Sequence, residues 1–105
     1  MSDTGVQIVL CSFPDVDTAR QIGTTLVERQ LAKCVNLIPS VESIYEWEGK
    51  IERGSEVLAV FKVAAAKYSA FETTLAKRHP YEVPEILAVE VAAGLNRYLN
   101  WVTEN

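Results

Sequence analysis

The 105-residue sequence predicts an α+β sandwich of ferredoxin-like topology: β-α-β-β-α-β with one further helix at the C-terminal end. Three observations predict it. Short apolar, β-branched runs recur at 6–13, 34–38, 57–65 and 86–91, each too short for a buried helix. Two stretches of helical periodicity, 15–31 and 67–78, fall between the first and second runs and between the third and fourth. The middle two runs are joined by a long ribbon rich in Glu and aromatics instead of by a helix. Nothing marks a linker, a repeat or a low-complexity stretch, so residues 1–105 are read as a single domain.

Each element has its local cause. Val6–Phe13 (VQIVLCSF) reads as a central strand, and Pro14 ends it. Asp15 and Asp17 then place negative charge at the positive end of a helix. Val16, Ala19, Ile22, Gly23, Leu26 and Val27 fall at three- and four-residue spacing, which carries that helix to about Leu31. The second strand begins at Cys34; Pro39 cannot donate a ladder hydrogen bond and marks a bulge or a bend. Extended sequence continues to Trp47, where Gly49 with Lys50 supplies a turn. Arg53-Gly54-Ser55 predicts a second irregularity before the strand resumes at Val57. The whole of 34–65 is therefore one long antiparallel hairpin with a bent arm. In the second helix, Tyr68, Phe71 and Leu75 form the apolar stripe, Ser69-x-x-Glu72 resembles a capping box, and Pro80 and Pro84 stop the helix. Gly94 breaks the last strand, and Leu95, Tyr98, Leu99 and Val102 line one stripe of a short terminal helix flanked by Trp101.

Composition excludes several functions. With 14 acidic and 10 basic residues the net charge is −4, which suits neither nucleic-acid phosphates nor an anionic membrane surface. The longest apolar run, 57–61, falls far short of the ~20 residues needed to span a bilayer. No basic region leads into an apolar stretch near the N-terminus, and two cysteines make no disulfide framework. The expectation is a soluble, acidic, cytoplasmic domain with no nucleic-acid or membrane partner.

Catalytic motifs are missing too. There is no Gly-rich phosphate cradle, no nucleophile elbow and no Cys-x-x-Cys pair. A Cys–His nucleophilic pair would need an orienting group and oxyanion donors that nothing in the sequence supplies. The chain is therefore read as not an enzyme. Taken singly, Cys11 is a small core hydrophobe and His79 a cation suited to a helix C-terminus. Taken together they are the two best ligand types for soft and borderline metals. Lys62 interrupts an apolar run, either lifting its ammonium to water or contacting an anion in a cleft. Tyr45, Trp47, Tyr81, Tyr98 and Trp101 are too many large aromatics for a monomer to keep dry, which points to an interface. Three subunits, each adding its arm to a neighbour's sheet, would cover the open edge, bury Tyr45 and Trp47, and close a ring.

The sequence resembles the CutA divalent-cation-tolerance family. The resembling segments are Val9-Leu10-Cys11, 31–39 (LAKCVNLIP), 43–50 (SIYEWEGK), Phe61-Lys62, 79–86 (HPYEVPEI) and Tyr98-Leu99-x-Trp101. The resemblance runs from about Gln7 to Val102. It implies a ferredoxin-like subunit in a tight homotrimer, similar in architecture to the nitrogen-regulatory PII signal proteins. It also implies binding of copper or another divalent cation, linked to metal tolerance, without enzymatic activity. Carried over by position, the metal ligands are Cys11 and His79; some relatives have a second His where this chain has Arg78, which cannot ligate a cation. The alternative function is a PII-like signalling or adaptor trimer that binds a small anion in inter-subunit clefts near Lys62.

Topology sharpens the metal expectation. The fourth strand lies beside the first, so Cys11 and His79 share one end of the sheet. Cys34, at the start of a strand parallel to the first, should lie at the other end, about six residues or roughly 20 Å away. A disulfide tolerates only ~7 Å between Cα atoms, so no Cys11–Cys34 bridge is expected within a chain. One thiolate and one imidazole suit copper best.

Overall fold

In the computed structural model, which describes residues 4–104, the elements follow the predicted order. They are β1 (Val6–Phe13), α1 (Val16–Glu28), β2 (Cys34–Trp47), β3 (Lys50–Ala64), α2 (Tyr68–Arg78), β4 (Ile86–Glu90) and α3 (Asn96–Thr103). A single 3-10 turn, Ala65–Lys67, leads from β3 into α2. The strands form one antiparallel-paired sheet in the order β2-β3-β1-β4, the ferredoxin-like arrangement. Among the described residues no helix is long and apolar enough to cross a membrane.

Alternation along the central strands decides what the core contains. Val9, Cys11 and Phe13 of β1 and Val57, Ala59, Phe61 and Val63 of β3 are buried together. They meet Ala19, Ile22 and Leu26 of α1 and Phe71 and Leu75 of α2. Phe61 and Phe71 pack edge-to-face, with ring centroids 5.0 Å apart, in the middle of this layer. At Gly23 any Cβ would come within 3.2 Å of Val35 Cγ1, so the missing side chain lets α1 lie close on β2.

The local signals acted much as expected at α1. Asp15 caps it by accepting a 2.7 Å hydrogen bond from the Thr18 amide. The helix ends three residues before Leu31, because Gln30 turns into the left-handed region at φ 61°. The Gln30 amide donates to Val27 and the Leu31 amide to Leu26, a Schellman closure built without glycine.

The hairpin bends at Pro39 as predicted: the register shifts between Ile38 and Val41, with Ser40 at φ 60°. Three details differ. The turn residues are Glu48 and Gly49, both at positive φ, while Lys50 already pairs with Trp47. This is the two-residue turn whose twist matches the strands it joins. Arg53, Gly54 and Ser55 make no irregularity, since they pair in unbroken register with Ile44, Ser43 and Glu42. Gly54 faces open space there, so its missing side chain leaves nothing to repack. The Ser69–Glu72 capping box is not formed either. The 3-10 turn starts the helical rotation early, which places Ser69 inside α2, and Glu72 instead accepts a 2.6 Å hydrogen bond from the Tyr68 hydroxyl.

The second face of the sheet is apolar but uncovered within one chain. By register it carries Leu10, Leu58, Val60, Ile38, Leu87 and Val89. Leu87 and Val89 remain 56% and 53% exposed. Lys62, Asn36 and Cys34 share this face at one end, with the Lys62 ammonium donating to Asn36 Oδ1 and, at 3.4 Å, to the Val60 carbonyl.

Candidate functional site

Pro80 forces the residue before it out of helical conformation, and His79 accordingly ends α2 at φ −71°, ψ 136°. Its ring drops onto β1 and stacks on Phe13, centroids 4.8 Å apart. The Ser12 carbonyl, 2.8 Å from Nε2, can only accept, so Nε2 carries the proton and donates. Nδ1 then accepts the Tyr81 amide hydrogen at 3.1 Å. Both ring nitrogens are committed, and the neutral imidazole ties the loop after α2 to the end of β1. Burial pushes the His79 pKa below its usual value, against the opposing pull of the Ser12 carbonyl and the Glu56 charge.

Cys11 lies one strand position from Ser12 and pairs with Ala59 and Ile86 across its two neighbours. Its side chain is completely buried, and its Sγ lies 3.8 Å from the Ser12 carbonyl. Burial, reinforced by the Glu85 and Glu56 charges, pushes the thiol up to about 12. The structure thus brings Cys11 and His79 to the same end of the sheet, where both meet the Ser12 carbonyl.

Proximity is not the same as a donor set. Ligation needs a thiolate and a free ring nitrogen, whereas Cys11 is a protonated, buried thiol and His79 has no free nitrogen. Among the described residues no group of three or more His, Cys, Asp or Glu side chains is placed to hold a metal ion. The Cys11–His79 pair as it stands in one chain does not fit a metal. Cys34 stands apart from it, but less far than the sequence implied. Cys34 pairs with Lys62, which pairs with Ile8, so the offset from Cys11 along the strands is three residues instead of six. Both cysteines are free, and Cys34 Sγ sits 3.5 Å from the Tyr98 hydroxyl. That contact, with some burial, pushes Tyr98 up to about 12.

A second feature at this end of the sheet escaped the sequence reading. The outer arm and the loop that His79 anchors enclose a groove of about 810 Å³. Tyr45, Trp47 and Tyr81 supply its aromatic walls, and Glu42, Glu56, Glu82 and Glu85 its charge. The Tyr81 hydroxyl donates to Glu56 Oε2 at 2.6 Å and fixes the loop against the arm. Burial and that bond push the Tyr81 pKa up, so the phenol stays neutral. The sequence shows the Glu–aromatic mixture in the arm, but not that 80–85 folds back to meet it. Lys62 does not line this groove.

Residues 7–105 match the CutA1 divalent ion tolerance protein family. The chain belongs to that family. It is 38% identical over 99 residues to the divalent-cation tolerance protein CutA of Thermus thermophilus, covering 94% of this chain and 96% of that one. It is 42% identical over 99 residues to human protein CutA, covering 94% of this chain but 55% of the human one. The solved structure of CutA from Xylella fastidiosa superposes with a TM-score of 0.91 at 39% identity, covering 93% and 94% of the two chains. The CutA likeness therefore extends over the sheet, the helices and the long arm together.

Proposed function

We propose that this chain forms a homotrimer that serves in cytoplasmic tolerance of divalent cations by binding copper or a related metal, without catalysing a reaction. The observation that carries the reading is the family match over nearly the whole chain, shared with a relative named for divalent-cation tolerance. The absence of catalysis is supported by Cys11, whose protonated, buried thiol is a poor nucleophile. Two free cysteines suit a reducing compartment.

The trimer is supported by two features of the single chain. Leu10, Leu58, Val60, Leu87 and Val89 make one face of the sheet apolar, and β2 and β4 leave an edge on each side. Heterologous contacts that join such edges around a ring cover both the edges and the face. Native mass spectrometry with and without copper tests assembly and stoichiometry together. Three subunits with bound copper are expected; one or two subunits, or no copper uptake, would reject the reading. Copper titration of Cys11→Ser, His79→Ala and Cys34→Ser tests the residues. Loss of binding in the first two alone assigns the metal to Cys11 and His79. Because one chain keeps both of those donors closed, binding retained in both variants would place the metal elsewhere.

A further inference from the structure

A small crevice of about 200 Å³ opens where α1 stops, at the end of the sheet where Val6 pairs with Ala64. His79 and Ser12 stand at the other end of β1. The crevice has room for about seven waters, or for an organic molecule of a similar number of heavy atoms. Val27, Leu31, Ala64 and Val102 give it apolar walls, and Ala64 and Val102 are only 8% and 3% exposed within the single chain. Its charge comes from Lys33, Lys67 and Glu104. Two ammoniums against one carboxylate make the lining net positive, in a protein whose own net charge is −4.

The fold places both lysines. Lys67 donates to the Gln30 carbonyl at 2.8 Å, which ties the turn before α2 to the end of α1. An ammonium carries three donors, so that bond leaves two for another acceptor. The Lys33 amide donates to the Lys62 carbonyl at 2.9 Å, and the Lys33 ammonium stands 5.2 Å from the centre of the Trp101 ring. Among the described residues no carboxylate lies within ion-pair distance of either lysine.

We propose that this crevice binds a small monocarboxylate with a short branched apolar chain. The carboxylate is held by Lys33 and Lys67, and the chain leaves water against Val27, Leu31, Ala64 and Val102. The net positive lining disfavours a cation, and a bare inorganic anion gains nothing from the apolar walls. Because the Lys67–Gln30 bond is made before the ligand arrives, the ordering cost of binding is lowered. The crevice contains no residue of the arm, and it stops at Lys33, one residue short of the β2 edge. Neither Trp101 nor Leu58, Val60, Leu87 and Val89, the face given to assembly, belongs to its lining. Cys11 and His79 are absent from it as well, so the proposal stands apart from the metal reading.

The test uses the intact protein in its native assembly at fixed pH and ionic strength. Isovalerate, a branched monocarboxylate of matching size, is titrated in while backbone amide shifts are followed by NMR. Saturable shifts are expected at 30–33 and at Lys67, with none along the arm at 41–47. Acetate, stripped of the apolar chain, should bind at least about tenfold more weakly. Lys33→Met and Lys67→Met should each weaken isovalerate binding about tenfold, the scale of one hydrogen bond to a charged group. Glu104→Gln should strengthen it about twofold. Lys33→Met keeps the test decisive if Lys67→Met loosens the end of α1. No saturable response to isovalerate, or an unchanged response in both lysine variants, overturns the proposal. An equal response to the neutral isovaleramide overturns it in favour of a purely apolar crevice. Inorganic phosphate that binds as tightly as isovalerate overturns it in favour of an unselective anion site. Shifts at 30–33 that follow protein dilution while isovalerate has no effect overturn it in favour of a neighbouring subunit as the occupant.

Discussion

The hairpin β2–β3 is paired on both sides of its bend, yet its two halves live in different surroundings. In the inner half, Val57, Ala59, Phe61 and Val63 are buried under α1 and α2. In the outer half, beyond the bend at Pro39, Ile44 and Ile51 are 62% and 67% exposed and no helix lies over them. Backbone hydrogen bonds are the same in both. What differs is the second layer, and a two-stranded ribbon without one is marginal in water. The inner half is held by this chain's own core. The outer half has no second layer within the chain, and the proposed trimer would supply one.

Substitutions that act on one half should spare the other. Phe61→Ala removes a fully buried ring from the inner layer and should lower stability by about 3–5 kcal/mol, read by denaturant unfolding. Trp47→Ala at the far end of the arm should cost roughly 2 kcal/mol, mostly through weaker assembly, since half its surface is open in one chain. In the proposed trimer the melting temperature of the parent rises with protein concentration, and light scattering of Trp47→Ala shows a looser assembly. Equal melting and assembly in the two proteins would place Trp47 outside the interface.

Titration probes the core that the inner half shares with β1 and the end of α2. The His79 pKa is lowered on folding, so the unfolded chain binds the extra proton more readily. Stability should be intact above about 6.5, the unperturbed value for His, and decline as pH falls from there toward the lowered folded value. Cys11 works in the opposite direction. Its thiol rises from 9.0 to about 12, so above 9.0 the unfolded chain loses a proton the folded chain keeps. Stability should then fall by roughly 1.4 kcal/mol per pH unit from this group. Unfolding free energies measured across pH should show a plateau with two shoulders, and Cys11→Ala should remove this group's contribution to the alkaline one. A curve unchanged by that substitution would contradict the burial argument.

The smallest effect belongs to the arm's turn. Gly49 sits at φ 80°, where a side chain is strained, and open space around it leaves backbone strain as the whole effect. Gly49→Ala should cost about 1 kcal/mol. Its loss should appear as faster amide exchange in 41–56, with the 57–64 segment unchanged.

Much of this molecule was legible in local chemistry. Asp15 announced the start of α1, Pro80 the end of α2 and Pro39 the bend, because each acts through its own backbone or the next few residues. Signals of the same local kind misled where the surroundings outweighed them. Ser69-x-x-Glu72 had the form of a cap, yet the 3-10 turn had already begun the helix. Gly54 had the form of a break, yet in an exposed ribbon the ladder simply continues through it. The candidate site was legible as a place, since strand order alone brings Cys11 and His79 to one end of the sheet. Its state was not legible.

The sequence by itself determined the order of elements, the apolar faces that become the core and the family to which the chain belongs. Those follow from side-chain periodicity, from the rigid backbone of proline and from residue strings read in order. Only the tertiary structure decided the three-residue offset of the cysteines, the closure of both His79 nitrogens and the meeting of Glu56 with Tyr81. Apart from the Tyr81 amide on His79 Nδ1, two residues away, each of these joins residues 25 or more positions apart or depends on their strand register. A hydrogen bond reaches about 3 Å, so a shift of one residue along a strand, ~3.3 Å, is enough to make it or abolish it.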